Sequence, residues 1–331
     1  MQTLTYVLYQ LDEALRYVDG SRLEQLRLAL LLLDNAAELQ LDRRCREERQ
    51  SEDLRERIRA QAITMGAVAH SPALAELAAW KPLRPAEKKR LRRSFDAKLE
   101  YLTERHPIID PRMARVLSYL HRYRNEAYHD ARVRRETIRT AALILFEANC
   151  ELLITIFRVR MYSSEDDYSW VQQRFGLKRP WGMDERELAR IVGELRTAAL
   201  PSARDVAAVL GAHLRSRLDE LWDGLDFVAT NTVLDDRAAA LHAAQFAAAI
   251  ERGKVDPSMD PGQYRASWTP AQVEGLDLRI AAVEASPERL AAFERFSEIE
   301  SELETLERDA YALVSYVDGY IQYQIDLARG K

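Results

Sequence analysis

The chain has 331 residues, is 47% hydrophobic and 31% charged, and carries a formal net charge of −5, which suits one large or two modest packed domains and excludes a disordered or fibrous polymer. Its 12 glycines and 11 prolines are roughly half of ordinary usage, too few turn residues for an architecture of many short strands. Cys45 and Cys150 are the two cysteines, more than a hundred positions apart, which excludes a disulfide framework and CxxC-type zinc or iron–sulfur sites and points to a reducing, cytoplasmic compartment.

Apolar residues recur at intervals of three and four, without sustained alternation, so an all-α fold is expected. The first helix is predicted over 3–18, closed by Gly20; it has no basic segment ahead of its apolar residues and carries Asp12 and Glu13 early, unlike a secretory signal. Ser21, with Glu24 three residues later, predicts a capping box for a second helix over about 21–48. Leu23, Leu26, Leu30, Leu33 and Leu41 form its apolar stripe, and the charged stretch 43–59 reads as a solvent-exposed continuation. The longest apolar run, Leu28 to Leu33, falls far short of the ~20 residues of a bilayer span, so no membrane partner is expected. Asp34 and Asn35 end that run, and such residues are costly in a core unless they are hydrogen-bonded or line a site.

A short helix over about 71–80 should end at Lys81-Pro82, and a basic helix should follow Pro85 and stop at His106-Pro107. Asp110 is a predicted N-cap with Pro111 in the first helical position of a helix reaching about Tyr128. The next helix, over about 134–161, is apolar on most of its circumference and so belongs in the core. The elements at 3–18, 21–48, 111–129 and 134–161 predict an up-and-down bundle with the basic helix alongside, and 43–105 as an elaboration.

A second region is expected from residue 163 onward, with helices over about 184–200, 202–222, 235–252, 270–284 and 287–327. In the last of these, Ala292, Phe296, Ile299, Leu303, Leu306, Ala310, Leu313, Val317 and Tyr320 form a heptad seam. It suits either a coiled coil with another chain or packing on the protein's own helices.

Charge is unevenly spread: Lys81 to Arg139 holds 17 Lys/Arg against 8 Asp/Glu, whereas 163–331 holds 19 against 30. A basic segment of this kind suggests an anionic ligand, nucleic acid above all, with Lys88, Lys89, Arg90, Arg92 and Arg93 as candidate RNA contacts; a merely solvated helix face is the alternative. The acidic half is read as a restraint on the basic half or a receiver of a trigger, so that residues 1–162 alone should be more active than the full chain.

Of the six histidines, His70, His213 and His242 lie in Ala/Leu-rich surroundings that suit structural roles. No HExxH pair, Gly-rich phosphate loop or GxSxG occurs, leaving metalloprotease, P-loop and serine-hydrolase readings without support. What remains is the segment from His121 to Asp130. Arg124 and His129 are five positions apart, about 140° around a helix, so they converge on one phosphate only if the helix ends or loosens near His129. Arg offers a permanent charge and a planar donor fork, and His exchanges protons near neutral pH. Together they match the needs of RNA cleavage by its own 2′-hydroxyl, which takes no metal or cofactor: a base, an acid and a cation beside the phosphorus.

The segment RNEAYH at 124–129 resembles the motif of the HEPN family, helical domains carrying Arg, a polar residue commonly Asn, three variable residues and His. The early Leu-rich helix with LALLLLDNAAEL at 28–39, and the apolar helix directly after the motif, extend the resemblance over residues 1–162. It implies a homodimer whose two motifs face each other and cut single-stranded or loop RNA, tRNA among the candidates, without metal. Such proteins belong to toxin, CRISPR or anti-phage systems, with an antitoxin or sensor as partner. Residue by residue, it implies that Arg124 stabilises the reacting phosphate, Asn125 orients it and His129 transfers the proton. Tyr128, Arg122 and His121 are adjacent candidates, and Asp34 a supporting one whose change to Ala should impair cleavage without lowering thermal stability. One toxin branch has a Tyr two residues after the His, where this chain has Ala131, so that branch's mode of regulation does not carry over. A non-catalytic nucleic-acid or nucleotide-binding module and a helical scaffold that oligomerises through the 292–320 seam remain open beside the enzyme.

Overall fold

The computed structural model describes residues 2–20, 22–65, 72–129, 135–157, 165–177 and 183–329; the side chains of Gln2, 125–129 and 165–168 lie outside that description. Among the described residues every regular element is helical and no strand occurs. The all-α expectation holds, and no described helix is long and apolar enough to cross a membrane. The chain divides into two units, 1–200 and 201–331.

In the first unit, α1 (Gln2–Val18), α2 (Leu23–Thr64), α6 (Pro111–His129) and α7 (Arg135–Ile156) pack together, with α2 touching the other three. Leu26, Leu30, Leu33 and Leu41 of α2 are fully buried, at about 2 kcal/mol of hydrophobic stabilisation each. Their partners include Leu8 and Leu11 of α1 and the nearly continuous buried run Ile138 to Leu153 of α7. Polar Asn149 is tolerated there because its amide donates to Leu33 O at 3.0 Å and Leu145 O at 2.8 Å and accepts from Gln40 at 2.8 Å. Past Cys45 the apolar residues Leu54 and Ile58 are exposed, but the stretch 43–59 is not the wholly exposed continuation expected: Arg44, Cys45 and Glu52 are buried, as is Ala62 beyond it.

Local chemistry accounts for most helix ends. Asp110 Oδ1 accepts from the backbone of Arg112 at 2.8 Å and Met113 at 3.4 Å, starting α6 as expected,. At α2 the start differs from expectation. The helix begins at Leu23, the Gln25 side chain accepts from the Arg22 N–H at 3.4 Å, and Ser21 lies outside the described residues. After α3 (Pro72–Ala79), the single basic helix expected from Pro85 is two, α4 (Pro85–Arg93) and α5 (Phe95–Glu100). Ser94 breaks it, adopting an extended conformation and accepting from Ala97 N at 3.2 Å as the cap of α5. A π-helical turn, Tyr101–Arg105, then carries the chain to His106-Pro107.

Two further helices close this unit, α8 (Glu165–Phe175) and α9 (Glu185–Ala199). Arg174 of α8 pairs with buried Asp12 at 2.7 Å, and Arg196 of α9 pairs with Glu147 at 3.1 Å and Glu151 at 3.2 Å. The division therefore falls between Leu200 and Pro201, whereas the sequence suggested one near 162, a position outside the described residues. A chain cut at 162 would lack both helices.

The second unit contains α10 (Ala203–Thr230), α11 (Arg237–Glu251), α12 (Pro270–Glu274), α13 (Leu276–Glu284) and α14 (Arg289–Ala328). The heptad seam of α14 is buried against this unit's own helices, chiefly α10, from Ala292 through Ala310 and again at Val317; Tyr320 is exposed. This corrects the coiled-coil alternative over most of the seam: the same spacing serves intramolecular packing, because α10 offers the matching stripe Val206, Leu210, Leu214, Leu218, Leu221 and Leu225,. Gly211 permits the close approach of α10 to α13, since a Cβ there would lie 2.3 Å from Glu284 Cγ.

Candidate functional site

The site grows from the residues that seemed out of place on α2. Asp34 follows four leucines, and its side chain is only 4% exposed. An ionised carboxylate so placed must find donors. Two come from α6: His121 Nδ1 lies 2.8 Å from Asp34 Oδ1, and Arg124 Nη2 lies 2.5 Å from Asp34 Oδ2. His121 and Arg124 are three positions apart and thus share one face of α6, so one carboxylate serves both. Asn35 is exposed and takes no part.

The ring of His121 is held on its other side by Phe95, the first residue of α5, at a centroid distance of 4.1 Å and an interplanar angle of 2°. About a quarter of the side-chain surface of His121 and Arg124 stays accessible, 23% and 24%. Arg124 Nε is buried without a hydrogen-bond partner among the described residues. The arrangement is therefore a guanidinium and an imidazole, each about a quarter exposed, on one buried carboxylate, with donor capacity left on Arg124.

Arg122 points elsewhere: it is exposed, and its guanidinium lies 5.6 Å from the centroid of the Tyr119 ring. Asn125, Tyr128 and His129 occupy the last turn of α6, which remains helical through His129; their side chains lie outside the described residues, so their expected convergence with Arg124 is not described either.

The basic candidates divide into two sets. Lys88 is partnered by Asp53 at 3.2 Å and Glu56 at 3.5 Å, and hydrogen bonding to Asp53 raises its pKa; Arg90 is partnered by Glu100 at 2.8 Å. Lys89, Arg92 and Arg93 are exposed and make no ion pair among the described residues. Arg92 and Arg93 precede Phe95 by three and two residues, so the chain keeps their Cα atoms within about 11 Å and 8 Å of that of Phe95, the ring stacked on His121.

The other described histidines each have a partner. His106 sits between Glu52 at 2.9 Å and Glu48 at 3.3 Å, and His213 meets Glu300 at 3.2 Å. His242 Nε2 lies 3.1 Å from Tyr264 O, and His70 lies outside the described residues. Burial pushes the Cys45 thiol up to about 12 and Cys150 up as well, so neither is a ready thiolate,. Among the described residues no group of three His, Cys, Asp or Glu is placed to hold a metal ion.

Sequence reasoning singled out Asp34, His121 and Arg124 but missed Phe95, whose only signal was its place at the end of the basic run. Comparison of the chain with protein-family models, curated proteins and solved structures finds no match.

Proposed function

We propose that this chain is a metal-independent endoribonuclease that cleaves RNA by 2′-hydroxyl attack, with Arg124, Asn125 and His129 of α6 as its central residues. The observation that carries this reading is the convergence of Arg124 and His121 on buried Asp34, within the most basic part of the chain. Arg124 supplies charge and unused donors for a phosphodiester, and Asn125 and His129 complete the motif on the next turn. Exposed Lys89, Arg92 and Arg93 supply sequence-independent affinity for the RNA backbone. In line with the HEPN resemblance, we place the enzyme as a homodimer in a toxin or anti-phage system, with tRNA among the substrates and an antitoxin or sensor as partner.

A second reading is favoured by one observation: part of the Arg124 charge is already neutralised by Asp34, as suits a module that binds RNA or nucleotides without turnover. The test is incubation of the full chain with total RNA and with tRNA in EDTA, alongside Arg124→Ala and His129→Ala. The expected result is cleavage leaving cyclic phosphate ends, absent from both variants. Salt-dependent binding without cleavage by wild type would establish the second reading instead.

A further inference from the structure

We propose that His121 is a second proton-transfer residue of this site, the general base that takes the 2′-hydroxyl proton, with Asp34 as its positioning residue. The inference rests on the RNA-cleaving reading above and adds a residue that the Arg124 to His129 motif does not contain. An ionised carboxylate only accepts hydrogen bonds, so the 2.8 Å contact from Asp34 Oδ1 to His121 Nδ1 assigns the ring proton to Nδ1. That leaves a lone pair on Nε2, which makes no hydrogen bond among the described residues. The buried carboxylate also holds the ring in one orientation,. Phe95, parallel to the ring at 4.1 Å, fixes its plane from the other side. The His121 side chain is 23% exposed while its carboxylate partner is 4% exposed, so the histidine is partly open to solvent and its support lies inside.

The reaction needs two proton-transfer groups; each copy of the motif names one histidine, and His121 offers a base from the same helix as Arg124. With His121 as base, the 2′-oxygen loses its proton to Nε2 and forms a bond to the adjacent phosphorus. The bond from phosphorus to the 5′-oxygen breaks, and that oxygen takes a proton from the motif's acid, His129. The products are a 2′,3′-cyclic phosphate and a 5′-hydroxyl. Arg124, anchored to the other oxygen of Asp34 at 2.5 Å, stands beside the base on the same face of α6, where charge on the phosphate oxygens builds.

The test uses the full chain and an RNA oligonucleotide with an ordinary or a sulfur-substituted 5′ leaving atom, since a thiolate leaves without protonation. His121→Asn keeps a donor for Asp34 and removes Nε2. It should fold as wild type and cleave the ordinary oligonucleotide about 10²–10⁴-fold more slowly, with no recovery on the sulfur substrate, whereas His129→Ala should recover there. Asp34→Asn should lower kcat with little change in KM, and should turn the single Nδ1–H tautomer of His121 in the histidine 15N spectrum into a mixture. Cleavage by His121→Asn within threefold of wild type, while Arg124→Ala and His129→Ala are dead, would overturn this inference and leave the reading intact. Recovery of His121→Asn on the sulfur substrate would make it the acid and overturn its role as base. An Asp34→Asn protein with unchanged kcat and tautomer would remove Asp34 as the positioning residue. Absence of cleavage by wild type would overturn the reading and this inference together.

Discussion

In the first unit, Arg124 Nε, Glu52 Oε2, Tyr101 Oη and Thr103 Oγ1 are buried without a hydrogen-bond partner, whereas no buried side-chain nitrogen or oxygen described in the second unit is left so. There, His213 and Arg217 both meet Glu300, Arg252 meets Asp309, and Arg279 meets Glu302. Both units thus bury charge, but only the first leaves spare hydrogen-bonding capacity beside it. Orphaned buried polar atoms cost free energy, and one of them, Arg124 Nε, belongs to the Arg–His–Asp cluster whose Arg and His are about a quarter exposed.

The sharpest way to break this comparison is Asp34→Ala. The sequence suggested that cleavage would fall with stability untouched, but the carboxylate is buried between two bases. Its removal should therefore cost about 3 kcal/mol in urea unfolding as well as abolishing cleavage; unchanged stability would mean that the cluster does not form. Arg217→Ala in the second unit, which takes the guanidinium from Glu307 and from Glu300, the latter keeping His213, should cost about 2 kcal/mol while RNA cleavage, normalised to folded protein, stays at the wild-type rate. A selective loss of cleavage there would erase the distinction between the units.

Tyr101→Phe removes one orphaned hydroxyl without removing packing. It should leave stability unchanged or raise it by up to about 1 kcal/mol, and a clear loss in thermal melts would show that the hydroxyl has a partner. The smallest effect belongs to Glu284, whose carboxyl is held below the usual range by hydrogen bonds from Arg215. A lowered folded-state pKa means that its contribution is present at neutral pH and is lost as pH falls through the carboxylate range. Because the pair is largely exposed, Glu284→Gln should cost at most about 0.5 kcal/mol at pH 7. The gap between variant and wild type should close as pH falls below the carboxylate range, and a gap that widened on acidification would reverse the assignment.

Much of this was legible because it is local. The start of α6 at Asp110-Pro111, the stop at His106-Pro107 and the seam of α14 follow from residues a few positions apart. The break at Ser94 was missed because a serine inside a basic, helix-favouring run reads as neutral until its hydroxyl is seen capping Ala97,. α8 was missed because its attachment, Arg174 on Asp12, joins residues 162 positions apart. Of the candidate site, Arg124 and Asp34 could be named from residue type and context; which basic residues remain unpaired could not, since Lys88 finds Asp53 at a separation of 35 and Arg90 finds Glu100 across the Ser94 break.

The amino-acid sequence by itself determined that the chain is helical and where most helices start and stop, because capping, proline and apolar periodicity act within one or two turns. It also marked Asp34 as a residue in need of partners. Only the tertiary structure decided who those partners are: His121 and Arg124, at separations of 87 and 90, meet one carboxylate because the packing of α2 on α6 brings them there. Tertiary packing likewise turned the α14 seam inward on α10, since a heptad stripe specifies an apolar face and leaves the choice of the surface that covers it to the fold.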